Sequence, residues 1–293
     1  MSIIEINGLT SGNGRGVFDV SLNMQAGEVF GLLGPSGSGK TALIRHLIGF
    51  VRPESGTCMI SGRSSAESSA MIHGTLGYLP ESPALYEEMT GWGFLKFMAH
   101  YRRLRSMKRA EEVCELLGLN PKRSIRRMSL CARQKLALVC AVMHDPEILI
   151  LDDPTANLDP ISQNRFAQLI EDEKASGKTI LIASRSFDVI ERNCSRAAIL
   201  NKGRIAAQDT VGAFKASGRK VYRVTMASTG AVAALQRENV EILSSDGCNV
   251  TIAVTHDLRS LVSILSSYPV NDLKSVSLSL EEIFLTQPGG ENA

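Results

Sequence analysis

Near the N-terminus apolar and polar side chains alternate, first around Ile4 and Ile6 and then through Phe18, Val20, Leu22 and Met24. Alternation puts successive side chains on opposite faces of an extended chain. The spacing therefore predicts two strands of an antiparallel sheet with one wet face, separated by the Gly-rich turn SGNGRG. Further on, the pattern changes to short apolar runs, Val29–Leu33, Ile148–Leu151 and Thr179–Ser184. Runs of this kind suit strands covered on both faces of a parallel sheet. After the first run, Leu43, Ile44, Leu47 and Ile48 share one face of a predicted helix. Between Tyr86 and Met143 the chain reads as mainly helical, broken at Gly118, Asn120 and Pro121, with Ser129 as N-cap of the last helix.

From about Val221 the character changes. YRVTM predicts a strand, STGAVAALQREN a helix, VEIL a strand, Asp246-Gly247 a turn and NVTIAVT a strand. A helix with Leu258, Leu261, Val262 and Leu265 on one face follows, then a strand near Leu273–Leu278. The order β-α-β-β-α-β is that of a ferredoxin-like module. The predicted division is a larger α/β domain over 1–215, with a helical subdomain at about 86–143, and a small α+β domain over 220–293. A short helix is also expected around Ser279–Leu285.

Composition narrows the function classes. The 293 residues are 44% hydrophobic and 21% charged, ordinary for a chain with a real core. A net charge of +2 exerts no general pull toward nucleic acid. Cys58, Cys114, Cys131, Cys140, Cys194 and Cys248 show no metal-ligand spacing and read as reduced thiols. No signal peptide is expected, and no apolar run approaches the roughly 18 residues of a membrane span.

The chemistry concentrates in GPSGSGKT, which is Gly34, Pro35, Ser36, Gly37, Ser38, Gly39, Lys40 and Thr41. It fits G-x-x-x-x-G-K-[ST] between a predicted strand and a predicted helix, the context a P-loop requires. Glycines let the backbone curl so that N–H groups face phosphate oxygens, and the helix N-terminus adds a favourable dipole. Lys40 is placed for the β- and γ-phosphates, and Thr41 for Mg²⁺. In ILILDDPTANLDP, a buried strand ends in two carboxylates. Asp152 is suited to a Mg²⁺-bound water, and Asp153 to accepting a proton from an attacking water.

With these motifs in order, residues 1–215 resemble the ATP-binding subunits of ABC transporters. GYLPESPALYEEMT lies where the family has its Q-loop, RMSLCARQKLAL where it has its signature, and TILIASRSFDVI where it has its switch. The tail, with its closing SLEEIF, resembles the small domain found on many bacterial exporter ATPases. The resemblance implies an ABC-type P-loop fold, ATP and Mg²⁺ as cofactors, a membrane permease as partner and a place on the cytoplasmic face of the membrane. It also implies a second ATPase subunit set head to tail, each ATP lying between one P-loop and the other subunit's signature.

Several positions depart from the family pattern. Glu81 replaces the Q-loop glutamine and can still ligate Mg²⁺. The signature's Ser-Gly-Gly becomes Ser129-Leu130-Cys131, which keeps the hydroxyl and the helix dipole but adds bulk where backbone should approach phosphate. Asp153 replaces the catalytic glutamate and draws the carboxylate back by roughly 1.5 Å; a displacement of that order can cost about 100-fold in rate. Arg185 replaces the switch histidine and is suited to holding phosphate. The adenine-stacking aromatic is missing, Phe18 lying further along the chain. These changes imply impaired hydrolysis and favour a heterodimer with a more complete ATPase over a homodimer. The alternative is a non-hydrolysing regulatory subunit that uses ATP as structural glue. The basic stretch from Arg102 to Arg109 reads as a solvated helix face balanced by Glu111, Glu112 and Glu115, ahead of the alternative of contact with anionic lipid or a membrane subunit's loop. Trp92, Phe94 and Phe97 suit either core packing or a permease-facing groove.

Overall fold

The computed structural model describes residues 2–12, 16–217, 220–235, 238, 240–254 and 258–276. The chain divides into two compact units, Met1–Val211 and Gly212–Ala293. In the first unit, β1 (Ser2–Ser11) and β2 (Val17–Gln25) pair antiparallel, followed by β3 (Val29–Leu33) and α1 (Lys40–Leu47). Then come β4 (Ser55–Ile60), β5 (Arg63–Ser64), α2 (Ser69–Thr75) and β6 (Leu76–Leu79). A helical stretch holds α3 (Gly91–Tyr101), α4 (Lys108–Leu117) and α5 (Leu130–Val142). The remainder alternates β7 (Ile148–Asp152), α6 (Pro160–Ala175), β8 (Thr179–Ser184), α7 (Phe187–Asn193), β9 (Arg196–Asn201) and β10 (Arg204–Thr210).

Two sheets result. The antiparallel one has the order β2-β1-β4-β5, and its alternating pattern buries Val17, Val20, Leu22 and Met24 on one side. The other has the order β10-β9-β3-β8-β7-β6; every pairing from β9 to β6 is parallel and only β10 is antiparallel. Every residue of β3, β7 and β8 is buried, as their apolar runs predict. One core cluster joins Ile4, Ile6 and Met24 of the first sheet to Leu43, Ile44 and Leu47 of α1 and to Phe30, Leu32, Ile150 and Leu181 of the second. Fully burying a side chain of this kind contributes about 1.5–3 kcal/mol.

Local chemistry sets the helix ends. Thr90 accepts from the Gly93 N–H at 3.0 Å to start α3, and Ser129 from the Ala132 N–H at 3.2 Å to start α5. Asp159 accepts from the Ser162 N–H at 2.9 Å to start α6, whose first residue is Pro160. The α4 helix ends at Gly118, one of the predicted breaks.

The basic stretch differs in part from a solvated face. Lys108 makes an exposed i,i+4 pair with Glu112. Arg109 pairs with Glu112 at 3.4 Å on the same helix and also reaches Glu173 of α6, whose fully buried carboxylate meets Lys178 as well. Lys178 bonds Asp145 at 2.5 Å as well. The network ties α4 of the helical stretch to the residues that lead into β8.

The helix α8 (Val211–Ser217) begins at the last residue of the first unit, and the second unit continues with β11 (Lys220–Met226), α9 (Thr229–Leu235), β12 (Glu241–Asp246), β13 (Asn249–Val254), α10 (Leu258–Leu265) and β14 (Val270–Val276). Its sheet runs β12-β13-β11-β14, antiparallel throughout. Val224, Val250 and Ile252 pack with Val232, Leu235 and Leu261 in a separate core. The helix expected around Ser279–Leu285 lies outside the described residues.

Removing one partner of a buried ion pair leaves an uncompensated charge. Lys178→Met is expected to lower stability by about 3 kcal/mol, read as a lower urea midpoint, and Glu173→Leu combined with Lys178→Met by clearly less.

Candidate nucleotide site

Because β3, β8, β7 and β6 run parallel and in register, their C-terminal ends share one edge of the sheet. Leu33 pairs with Ser184, Ala183 with Asp152, and Leu151 with Leu79. The segments that leave these ends therefore meet: Gly34–Gly39 after β3, Glu81 after β6, Asp153 after β7 and Arg185 after β8. A cleft of about 660 Å³ lies there, lined among others by Ser36, Gly37, Gly39, Lys40, Thr41, Glu81, Asp152, Asp153 and Arg185. Residues more than a hundred positions apart are brought together by the ladder alone.

The loop between β3 and α1 is a curl of backbone. Gly37 has φ 77° and Gly39 φ 106°, conformations open to glycine at little steric cost. A Cβ on Gly39 would stand 2.9 Å from the Gly16 carbonyl oxygen. The Ser38 N–H donates to the Pro35 carbonyl at 3.2 Å, and the Gly203 N–H to the Ser38 carbonyl at 2.9 Å, which holds the curl against the turn between β9 and β10. Ser38 itself is buried. Lys40 and Thr41 open α1, so their N–H groups have no carbonyl four residues back within the helix and stand where an anion is favoured.

Side chains complete the walls. Lys40 is buried and its Nζ donates to the carbonyls of Gly34 at 2.7 Å and Pro35 at 3.0 Å. Burial lowers its pKa from the usual lysine value, against the raising pull of Asp153 and Asp152. Thr41 Oγ1 donates to Asp152 Oδ2 at 2.7 Å. Burial raises the Asp152 pKa, and the Thr41 hydrogen bond opposes it. Arg185 contacts Asp153 Oδ2 through Nε and Nη2, both at 2.6 Å. The Asp153 backbone has φ 49° and its N–H is held by the Ala183 carbonyl at 2.9 Å.

The donor set fits a magnesium-bound triphosphate. The Thr41 hydroxyl and the Asp152 and Glu81 carboxylates are the hard oxygens Mg²⁺ takes, and this ion usually completes its shell with water and phosphate. Among the described residues no group of three or more His, Cys, Asp and Glu side chains is placed to hold a metal ion.

Ser129 stands apart from this group. It is exposed at the start of α5 and is not among the residues that line the cleft. Beside it Leu130 is 66% exposed, while the Cys131 thiol turns to Asp159 Oδ2 at 3.4 Å and Ser162 Oγ at 3.7 Å. The Ser162 N–H and hydroxyl hold the Asp159 pKa down to about 2.

The structure adds residues that the sequence did not point to. Phe18 lines the cleft together with Gly16 and Lys202. Its N–H donates to the Gly203 carbonyl at 2.7 Å, and the Arg204 guanidinium lies 5.8 Å from its ring centre. Only the pairing of β2 with a turn some 180 residues later puts it there, and no local pattern marks that.

Comparison with known proteins places this geometry in a family. Residues 17–156 match the family described as "ABC transporter". The chain is 30% identical over 290 residues to the uncharacterized ABC transporter ATP-binding protein YdbJ of Bacillus subtilis, covering 97% of this chain and 94% of that protein. It therefore belongs to the ABC transporter ATP-binding proteins. The daunorubicin/doxorubicin resistance ATP-binding protein DrrA of Streptomyces peucetius is 29% identical over 98% of this chain and 92% of its own length. The uncharacterized ABC transporter ATP-binding protein all4389 of Nostoc sp. is longer: at 36% identity the match spans 65% of this chain and 58% of that protein. A solved ATP-binding subunit of an ABC transporter superposes with a TM-score of 0.65 at 28% identity, over 73% of this chain and 92% of its own. The family is generally ATP-hydrolysing.

Charge-assisted hydrogen bonds of the kind Lys40 can make contribute about 1.5–3 kcal/mol, or roughly 10- to 100-fold in affinity. Lys40→Ala is expected to weaken ATP binding by that factor in calorimetry, with an unchanged circular dichroism spectrum.

Proposed function

We propose that this chain is the ATP-binding subunit of an export-type ABC transporter, coupling ATP binding and slow hydrolysis to movement through a separate membrane permease. The observation that carries the reading is the convergence of the P-loop, Glu81, Asp152, Asp153 and Arg185 on one cleft at the C-terminal edge of the parallel sheet. Lys40 and the loop N–H groups would bind the phosphates. Thr41, Asp152 and Glu81 would hold Mg²⁺, which supplies neutralisation of phosphate charge. Asp153 would take the proton of the attacking water. The name of DrrA, a resistance protein, supports the export direction.

Impaired turnover follows from two features. Asp153 is one methylene shorter than the family's glutamate, and its Oδ2 is engaged by Arg185. The exposed Ser129, outside this chain's own cleft, suits the cross-subunit role of a signature residue, though Leu130 beside it crowds the approach. A heterodimer answers both defects: this chain's P-loop holds one ATP against the partner's signature, and the partner's machinery acts on the other. Closure of the two nucleotide domains would be a population shift driven by ATP binding.

A second groove, about 620 Å³ and lined by Phe50, His73, Tyr78, Tyr101 and Arg102, includes none of Trp92, Phe94 and Phe97, on which the permease-facing reading rests. Phe97 is 44% exposed and stacks edge-on with Tyr86, whereas Phe94 is buried and belongs to packing. Among the described residues no helix is long and apolar enough to cross a membrane; the place on the cytoplasmic face is proposed from the likeness to ABC transporter ATP-binding proteins. We assign residues 1–215 to ATP binding and 220–293 to an accessory ferredoxin-like domain. Its strand order and its helices α9 and α10 support that assignment.

The test is an ATPase assay of the lone chain and of the complex assembled with its permease and ATPase partners. Slow wild-type turnover is expected, with a gain of about tenfold in the combined Asp153→Glu and Arg185→His variant, since 1 Å of misplacement can cost about 100-fold. Fast hydrolysis by the lone wild-type chain, unchanged in the variant, would refute impairment. ATP binding without turnover even in the complex would favour the non-hydrolysing, regulatory reading.

A further inference from the structure

Apart from the nucleotide cleft, the first unit carries the groove of about 620 Å³, a volume that suits a small organic molecule. Phe50 follows α1, His73 belongs to α2, Tyr78 to β6 and Tyr101 to α3, and Arg102 comes next in the chain. Phe50 stands edge-on to the His73 ring at 5.4 Å and to the Tyr78 ring at 6.1 Å, which fixes three rings along one wall. At the rim Phe50 is still 59% exposed and Tyr101 78%, so both have apolar area left to cover. Among these rings lies one permanent cation. Arg102 heads the basic stretch, yet it is partly buried, and burial lowers its pKa from the usual arginine value. A guanidinium has five N–H donors. Among the described residues its one hydrogen bond runs from Nη1 to the His73 carbonyl at a long 3.4 Å. The groups that favour its charge are Cys140 and Tyr101, neither of them a carboxylate. His73 and His144 each turn Nε2 to a backbone carbonyl, of Ile48 at 2.8 Å and of Leu76 at 3.1 Å. Burial and the nearby Arg102 push the His144 pKa down to about 4, so that ring is neutral.

We propose that this groove is a second ligand site, which takes a small amphipathic carboxylate with an aromatic body. The proposal is independent of the ATPase reading, since none of the residues that line the nucleotide cleft lines the groove. A carboxylate matches the planar fork of a guanidinium and forms two parallel hydrogen bonds with it. It also supplies the opposite charge that a partly buried cation lacks. One permanent cation calls for one negative charge, which favours a carboxylate over a phosphate dianion. The rings call for a flat apolar body, which lies against Phe50 and Tyr101 and removes them from water. An acid held here would touch the end of α1 and β6, two elements that also shape the nucleotide cleft. A segment of another protein would cover the same surface, and the experiment separates it from a free acid.

The experiment titrates the full chain, without nucleotide, with 2-naphthylacetate, with its neutral amide and with acetate. Arginine carries the NMR-active nitrogen isotope, and the Arg102 Nε–H cross-peak is assigned by its loss in Arg102→Lys. The acid is expected to shift this peak saturably. The amide, which lacks the charge, and acetate, which lacks the rings, should each bind at least about tenfold more weakly. Arg102→Gln should weaken calorimetric binding of the acid about tenfold and leave that of the amide unchanged. Phe50→Ala should weaken acid and amide alike, and Lys40→Ala should alter neither. The site is overturned if acid and amide bind equally, or if Arg102→Gln keeps the full affinity for the acid. Loss of binding in Lys40→Ala would overturn it too, by putting the acid in the nucleotide cleft. No saturable shift at millimolar acid would also overturn it, and leave the groove to a segment of another protein.

Discussion

The hydrogen-bonded ladder that keeps β3, β8, β7 and β6 parallel and in register is the constraint on which everything else depends. Parallel strands release their loops at the same edge, and a ligand crevice at the carboxyl ends is what such sheets provide. A slip of one residue in β7 would turn Asp152 to the other face of the sheet. It would part the carboxylate from the Thr41 hydroxyl 2.7 Å away. Burial enforces the register: every side chain of these three central strands is out of water, so no shifted pairing is solvated more cheaply.

On that frame the site is an arrangement of opposing charges. Glu81, Asp152 and Asp153 share the cleft with Lys40, Arg185 and Lys202. Burial works against the charged forms of both Lys40 and Asp152, and each is met by neighbours that favour charge. Groups with directed demands of this kind are what a polyanion with its metal can satisfy. The Arg185–Asp153 contact belongs to the same economy, because it neutralises within the protein two charges that otherwise face the ligand. The buried Glu173 network uses the same physics away from the site, where Arg109 and Lys178 tie the helical stretch to the approach of β8.

Much of the fold was legible from pattern. The alternation in β2, the apolar runs of β3, β7 and β8, and Ser129 as the cap of α5 are local signals with local causes. The strands β4, β6, β9 and β10 were not legible. Those segments are short or carry polar residues, and pairing with neighbours makes them strands. Gly77 of β6 illustrates this: a Cβ there would stand 2.2 Å from the Ala141 carbonyl oxygen, a closeness visible only once α5 is packed on the sheet. Arg109 keeps a surface pair with Glu112, but its second contact is not legible locally, because the Glu173 carboxylate is 64 residues away.

By itself the sequence determined the glycine-rich loop between β3 and α1, the acidic end of β7 and the family, because those depend on residue types at short fixed spacings. Tertiary structure alone decided that Phe18 and Lys202 join the cleft, that Ser129 stands outside it, and that Arg185 holds Asp153. Each of these is a distance between segments remote in the chain. Such distances are set by strand order and register, which no single stretch of sequence encodes.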